Sequence, residues 1–319
     1  MRYLALLACL AAAPAFAAVD GTVVNRTTGK PQPGATVTLI ELTSGMQPAG
    51  STTTDAQGRF HFDRDPQGTA LLQVSHQGVT YSQHIQAGQG ANQEIGIYDS
   101  SKQPGAAKVT NHLILLEPIA GRLNVDETFF MENSGKTTFY DPSGGTLRFY
   151  IPKEAEGMNV FATGPQGMPI PQQPKPLGNG AYSVDFPVRP GETRFSVRYS
   201  MPFTDPGTFE GRSFYPGVAA RVATPHGVTI SGDGVKQIGD EPTMHVTVYE
   251  AAGAEFKLAI EGTGALRAAS AGEEDDSMPQ VEQVLPRVYQ RQWLIVAASL
   301  MALACGFVML YRRGAGSRA

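Results

Sequence analysis

The stretch TRFSVRYS at 193–200 alternates without a break. Phe195, Val197 and Tyr199 take every second place, and Arg194, Ser196 and Arg198 take the places between. A repeat of two gathers apolar side chains on one face of a pleated strand, whereas in a helix it scatters them around the axis. Similar short runs recur between residues 19 and 264, with 36 glycines and 23 prolines in the chain to supply turns between them. The alternation predicts an all-β fold, with antiparallel strands packed in layers as β-sandwiches.

Two apolar segments depart from that pattern. Residues 293–311 carry no charge over nineteen positions, about 28 Å of helix at 1.5 Å per residue, close to a hydrocarbon core of about 30 Å. Trp293 and Tyr311 stand where interfacial aromatics are expected, and Arg312, Arg313 and Arg318 follow. The chain opens MRYLALLACLAAAPAFA, with Arg2, an apolar run to Ala13, Pro14, then Ala15 and Ala17. That layout predicts a secretory signal peptide over 1–17, too short to span a bilayer. Together the ends predict a single-pass protein of the cytoplasmic (inner) membrane. Residues 18–291 would lie on the extracytoplasmic, periplasmic side, and 312–319 would form a cytoplasmic tail. LPRVY at 285–289 lacks the threonine and glycine of a sortase signal, so permanent anchoring is expected.

Both cysteines, Cys9 and Cys305, fall inside those end segments. The exported part must therefore hold together by burial rather than disulfides, and it has no thiol for catalysis or metal binding. A formal net charge of −4 and the lack of a basic run leave no electrostatic footprint for nucleic acid.

Near the amino end, Val19 and Val23 alternate with polar positions, NRTTGKPQPG supplies a turn, and Ala35, Val37 and Leu39 resume the pattern. STTTDAQGRFHF at 51–62 raises the question of a site, because Asp55 is acidic and His61 lies six positions on. Asp opening a tight turn and Gly58 closing it with positive φ account for the stretch as a corner. His61 then points away from the core that takes Phe60 and Phe62, with no third ligand in reach. These residues, GTVVNRTTGKPQPGATVTL followed by TTTDAQGRFHF, resemble the carboxypeptidase regulatory-like domain, a transthyretin-like module related to adhesin repeats. The resemblance covers about residues 19–98 and implies a seven-stranded sandwich used for packing, spacing or binding. No histidine begins an H-x-x-E motif, so the peptidase activity of the enzymes that carry such modules is not implied.

The organisation expected is a carboxypeptidase regulatory-like sandwich over 18–100, a linker over 101–108 and a second, larger antiparallel sandwich over 109–265. An acidic linker and juxtamembrane segment over 266–291, a transmembrane helix over 292–311 and the tail complete it. The second sandwich is expected from runs such as VTNHLILLEP, GRLNVDETFFMEN, GTLRFYIP, AYSVDFPV, VAARVATP and EFKLAIEG, with two smaller sandwiches as the alternative. EEDD at 273–276 lacks the interleaved spacing of a calcium loop and reads as solvated linker.

No arrangement of catalytic residues emerges. The chain lacks a G-x-S-x-G elbow, a phosphate loop and an H-E-x-x-H helix, and GQG at 88–90, GDG at 232–234 and GTG at 262–264 lack the third glycine of a dinucleotide site. His76, His84, His112, His226 and His245 are isolated in sequence, and a metal would need them to converge from distant strands. Asp126-Glu127 and Asp240-Glu241 are neighbours, so in a strand each pair splits between two faces. No catalytic residue, metal or cofactor is assigned. The reading is of a non-enzymatic scaffold or partner-binding module whose partner is another envelope protein. The alternative is a carbohydrate or cell-wall ligand held on an aromatic face built from Tyr140, Tyr150, Tyr182, Tyr199 and Tyr215. Behind both stands a hydrolase assembled from distant strands.

Overall fold

The computed structural model describes residues 19–43, 45–242 and 245–266. They form twenty-four strands and no helix, so none of the described residues belongs to a helix long and apolar enough to cross a membrane. The expected signal peptide, acidic run, anchor and tail lie outside the described residues.

The first eight strands are β1 (Val19–Asn25), β2 (Lys30–Pro31), β3 (Thr36–Glu41), β4 (Gln47–Thr53), β5 (Arg59–Phe62), β6 (Ala70–His76), β7 (Val79–Ile85) and β8 (Gln93–Ile97). In one sheet β1 pairs with β5 and the short β2 antiparallel and with β8 parallel. The other sheet runs β4-β3-β6-β7. Val19, Val23, Phe60, Phe62, Ile95 and Ile97 meet Val37, Leu39, Leu72, Val74 and Tyr81 between the two sheets, which makes the sandwich. Seven strands have four or more residues, and β2 is the addition. At 55–58 the turn is as its chemistry requires. The Asp55 carboxylate accepts the N–H groups of Gln57 and Arg59 at 2.9 and 2.8 Å, and Gly58 has φ 72°. His61 is exposed between the buried Phe60 and Phe62.

Strand β9 (Ser100–Ser101) lies in the connection between the sandwiches, and β10 (Ala107–Ile119) begins inside the stretch expected as linker. There follow β11 (Arg122–Asn133), β12 (Thr138–Phe139), β13 (Leu147–Tyr150), β14 (Glu156–Thr163), β15 (Pro169–Gln172), β16 (Lys175–Gly178), β17 (Ala181–Val184) and β18 (Gly191–Pro202). The last are β19 (Gly207–Arg212), β20 (Ala220–Pro225), β21 (Thr229–Ser231), β22 (Val235–Glu241), β23 (Val246–Ala251) and β24 (Glu255–Glu261). An eight-stranded sheet runs β15-β14-β18-β11-β10-β20-β23-β22, and two three-stranded sheets, β13-β17-β16 and β19-β24-β21, contribute to the same core. Phe129, Phe195 and Val197 of the large sheet share that core with Phe149, Phe209, Phe256 and Leu258 of the small ones. One continuous core runs over Ala107 to Ile260.

The expectation of a wholly antiparallel second sandwich is corrected at one seam. Strand β20 pairs with β10 in parallel, His112 opposite Ala220 and Leu115 opposite Ala223. The cause is the route of the chain. After β18 it enters the facing layer through β19, then crosses back to fill the open side of β10, and such a crossover delivers a parallel strand.

Gly21 sits where β1 passes β8, and a Cβ there would lie 2.1 Å from the Gln93 carbonyl oxygen. Gly50 is the contrast, since its Cβ would meet only the Phe62 ring at 3.8 Å. Gly21→Ala is therefore expected to lower stability by about 1–3 kcal/mol, and Gly50→Ala by no more than about 0.5. Chemical denaturation of the two variants side by side checks the difference.

Candidate functional site

Asp55 and His61 line one open groove, and the other polar residues singled out in the sequence fall into separate places. His61 faces solvent beside Asp63, at 3.0 Å. His226 and His245 are exposed with ring centroids 5.9 Å apart. His76 bonds Asp99 at 2.9 Å, and His84 is exposed on β7. Among the described residues no three side chains of ligating type gather in a way that could hold a metal ion. The five tyrosines do not share a face either. Tyr199 is in the core and Tyr140 packs against the first sandwich. Tyr215 exchanges hydrogen bonds with the Arg148 backbone. Tyr182 stacks on Phe149 directly across the ladder, while Tyr150, next along β13, points the other way under Arg212.

One cluster does assemble across strands. His112 on β10, Glu127 on β11 and Tyr199 on β18 all stand at inward positions and are at most 5% exposed. The Glu127 carboxylate accepts from the Tyr199 hydroxyl at 2.6 Å and meets His112 Nε2 at 3.0 Å. The imidazole stacks on Phe129 at 4.1 Å, and its Nδ1 has no protein partner. Burial, reinforced by the Glu127 carboxylate, pushes the Tyr199 hydroxyl well above its ordinary pKa, so it remains a donor. A carboxylate with both oxygens engaged inside a packed core suits the fixing of three strands in register. The neighbouring Asp126 faces outward, bonded to Arg198 at 2.6 Å. The sequence carried the signal for this cluster, because His112 and Glu127 occupy core parity in otherwise apolar alternation.

The second place of interest lies between the sandwiches. Asp99 accepts from Asn25 at 2.8 Å, from His76 at 2.9 Å and from Gln77 at 3.3 Å, while β9 pairs with β12 of the second sandwich. The hydrogen bond from His76, followed by that from Asn25, holds the Asp99 carboxyl below its ordinary pKa. Tyr81 reaches across to Thr138 at 2.9 Å, and Arg189 of the second sandwich lies over the Tyr81 ring at 4.9 Å. Beside this junction opens a cleft of about 660 Å³. One wall is β7 with Leu71 and Met46, and the other is Met168, Ile170 and Phe186. Of the five large apolar side chains exposed among the described residues, Met46, Met168 and Ile170 are three. Scattered exposed apolar residues are ordinary, but here three of them collect around one cleft. Sequence reading missed the cleft. GMPIPQ, with apolar residues set among turn formers where no core needs them, was its one trace.

Residues 18–97 match the family model of the carboxypeptidase regulatory-like domain. The first sandwich is such a domain. No curated protein matches the chain. Among solved structures, a mutant M1 zinc metallopeptidase from Deinococcus radiodurans bound to a Tyr-Ser-Ala substrate matches at 12% identity with a TM-score of 0.26, covering 48% of this chain. Another structure of M1 zinc metallopeptidase from the same organism matches at 12% identity with a TM-score of 0.24, covering 49%. The chain spans 42% of the length of each peptidase, and likeness at that level carries no argument about activity.

Removing the buried carboxylate with Glu127→Ala strands a donor on either side and is expected to cost about 3–5 kcal/mol. Because the Tyr199 pKa is raised on folding, its contribution is complete below the ordinary tyrosine value of 10.0 and declines as pH climbs past it. Tyr199→Phe should flatten that alkaline limb in denaturation titrations. Asp99 behaves in the opposite sense. Its contribution is complete above the ordinary carboxyl value of 3.8 and is lost as pH falls below it. Asp99→Asn should flatten the acid limb, with thermal unfolding against pH as the measurement.

Proposed function

We propose that the chain is a non-enzymatic partner-binding protein of the bacterial cell envelope. Residues 292–311 would moor it to the cytoplasmic membrane as one helix, and its two sandwiches would face the periplasm. The cleft between the sandwiches is the site at which another envelope protein docks. What carries the reading is the gathering of Met46, Met168 and Ile170, 60%, 55% and 44% exposed, on the two sides of one groove. A lone apolar side chain in water is tolerated, but three facing one another lose that exposure together when a partner arrives. Methionine suits such a surface because its flexible thioether adapts to the shape it meets. The buried His112–Glu127–Tyr199 cluster supports the non-enzymatic reading, since both carboxylate oxygens are already occupied by core partners.

The test is site-specific photocrosslinking in cells that make the protein. A photoreactive residue at position 168 or 46 should give a discrete adduct with another protein. The same residue in place of Ile238, equally exposed but remote in the fold on β22, should not. Adducts of equal yield from all three positions would defeat the proposal.

A further inference from the structure

One wall of the cleft is a strand edge with unused hydrogen-bond donors, and the inference here rests on the docking role just proposed for that cleft. In the β6–β7 hairpin Gln77 and Gly78 have φ 47° and 81°, a two-residue turn that makes His76 and Val79 the first bonded pair. Bonded and non-bonded pairs alternate along an antiparallel ladder, so Thr80, Ser82 and His84 turn both N–H and C=O away from β6. Two contacts agree. The Ser82 carbonyl accepts from Gln166 Nε2 at 2.7 Å, and the Thr80 carbonyl accepts from Arg189. Strand β7 is the last of its sheet, and no backbone carbonyl among the described residues takes the outward N–H of Thr80, Ser82 or His84.

The facing wall differs. Strand β15 is also the last of its sheet, but it reads Pro-Ile-Pro-Gln, and Pro169 and Pro171 have no N–H to offer. It contributes side chains instead, Ile170 and the adjoining Met168. Between the walls stands Arg189, whose hydrogen-bond acceptors are neutral, the Thr80 carbonyl and Gln166 Oε1 at 3.0 Å. A partly desolvated guanidinium with only neutral acceptors is a place for a carboxylate, which binds it more strongly.

We infer that the cleft takes an extended segment of a partner protein, added as a further strand along β7. Its backbone carbonyls accept the N–H groups of Thr80, Ser82 and His84. Its alternate apolar side chains rest against Leu71, Met168 and Ile170, and one carboxylate reaches Arg189. Main-chain pairing gives such a complex its affinity, and the alternate side chains and the charge give it selectivity.

The test uses the purified full chain and a displayed library of random dodecapeptides, followed by synthesis of the selected sequences. Selected peptides are expected to alternate apolar and polar residues around one Asp or Glu. A methyl on the peptide nitrogens that face β7 would stand against the strand and hold the peptide carbonyls away from its N–H groups. N-methylation of that alternate set should therefore weaken binding at least about tenfold, while the set facing away is tolerated. Changing the peptide acid to its amide should weaken it about tenfold. In the protein, Ser82→Pro removes an outward N–H without touching the ladder to β6 and should have the effect of the sensitive methylation. If Ser82→Pro fails to fold, the methylated peptides on unaltered protein still decide. Peptides that need Met168, by loss of binding in Met168→Asp, yet tolerate both methylation sets would overturn strand addition and leave the docking cleft standing. An empty selection, or peptides indifferent to Met168→Asp as well, would remove both. Self-association of the chain that Ser82→Pro abolishes would make a second copy the occupant and also overturn the inference.

Discussion

Between Val19 and Leu266 there is no cysteine, so no disulfide joins the sheets and apolar contact is the main force that holds them face to face. Each strand feeding a core must therefore turn alternate side chains inward with few lapses. Strand β18 does so completely at Phe195, Val197, Tyr199 and Met201. Two polar groups that enter the interior are answered by neighbours. Glu127 enters because His112 and Tyr199 flank it, and Asn133 enters because its amide reaches the Thr137 and Val188 carbonyls. In a dry layer such groups restrict how strands slide past one another, since a shift of one residue would turn them to the wrong face.

The same economy governs the margins of the sheets. An unpaired edge invites other strands, and this chain blunts its edges in different ways. Prolines interrupt β15, and β22 reads VKQIGDE with most of its side chains in solvent and three of them charged. Strand β7 has neither device. Its carbonyls are capped by Gln166 and Arg189 from the neighbouring sandwich, which leaves the donors open and places them in a groove rather than on an open flank. Where the domains meet, a hub at Asp99 and a stacked Arg189–Tyr81 pair set the width of that groove.

Much of the architecture was legible because burial writes itself into a repeat of two. The ladder partners β10 and β11 and the strands β18 and β24 all show it, and the corner at Asp55 is legible in its turn residues instead. Strands without an inward side left no trace. Strand β16, KPLG, is exposed throughout, and β22 follows a register set by its neighbour β23 rather than by a core of its own. The parallel seam was invisible for a different reason, since alternation reports which face a residue takes and says nothing about which strand lies alongside. The cleft was hardest to see. It is built from Met46, Arg189 and the 168–170 hairpin, residues far apart in the chain that no local pattern links, whereas Glu127 at core parity was an available clue to the buried cluster.

The seam between β10 and β20 joins residues about a hundred positions apart in the chain. Chain closure over such a distance is slow compared with forming a hairpin like β10–β11. As the chain is made from its amino end, the first sandwich and the β10–β11 pairing can form while His112, Leu113, Ile114 and Leu115 still wait for their second neighbour. For that interval the molecule carries a bare, apolar strand margin through the middle of what will become its largest sheet. The interval ends only when residues 220–223 arrive to fill it.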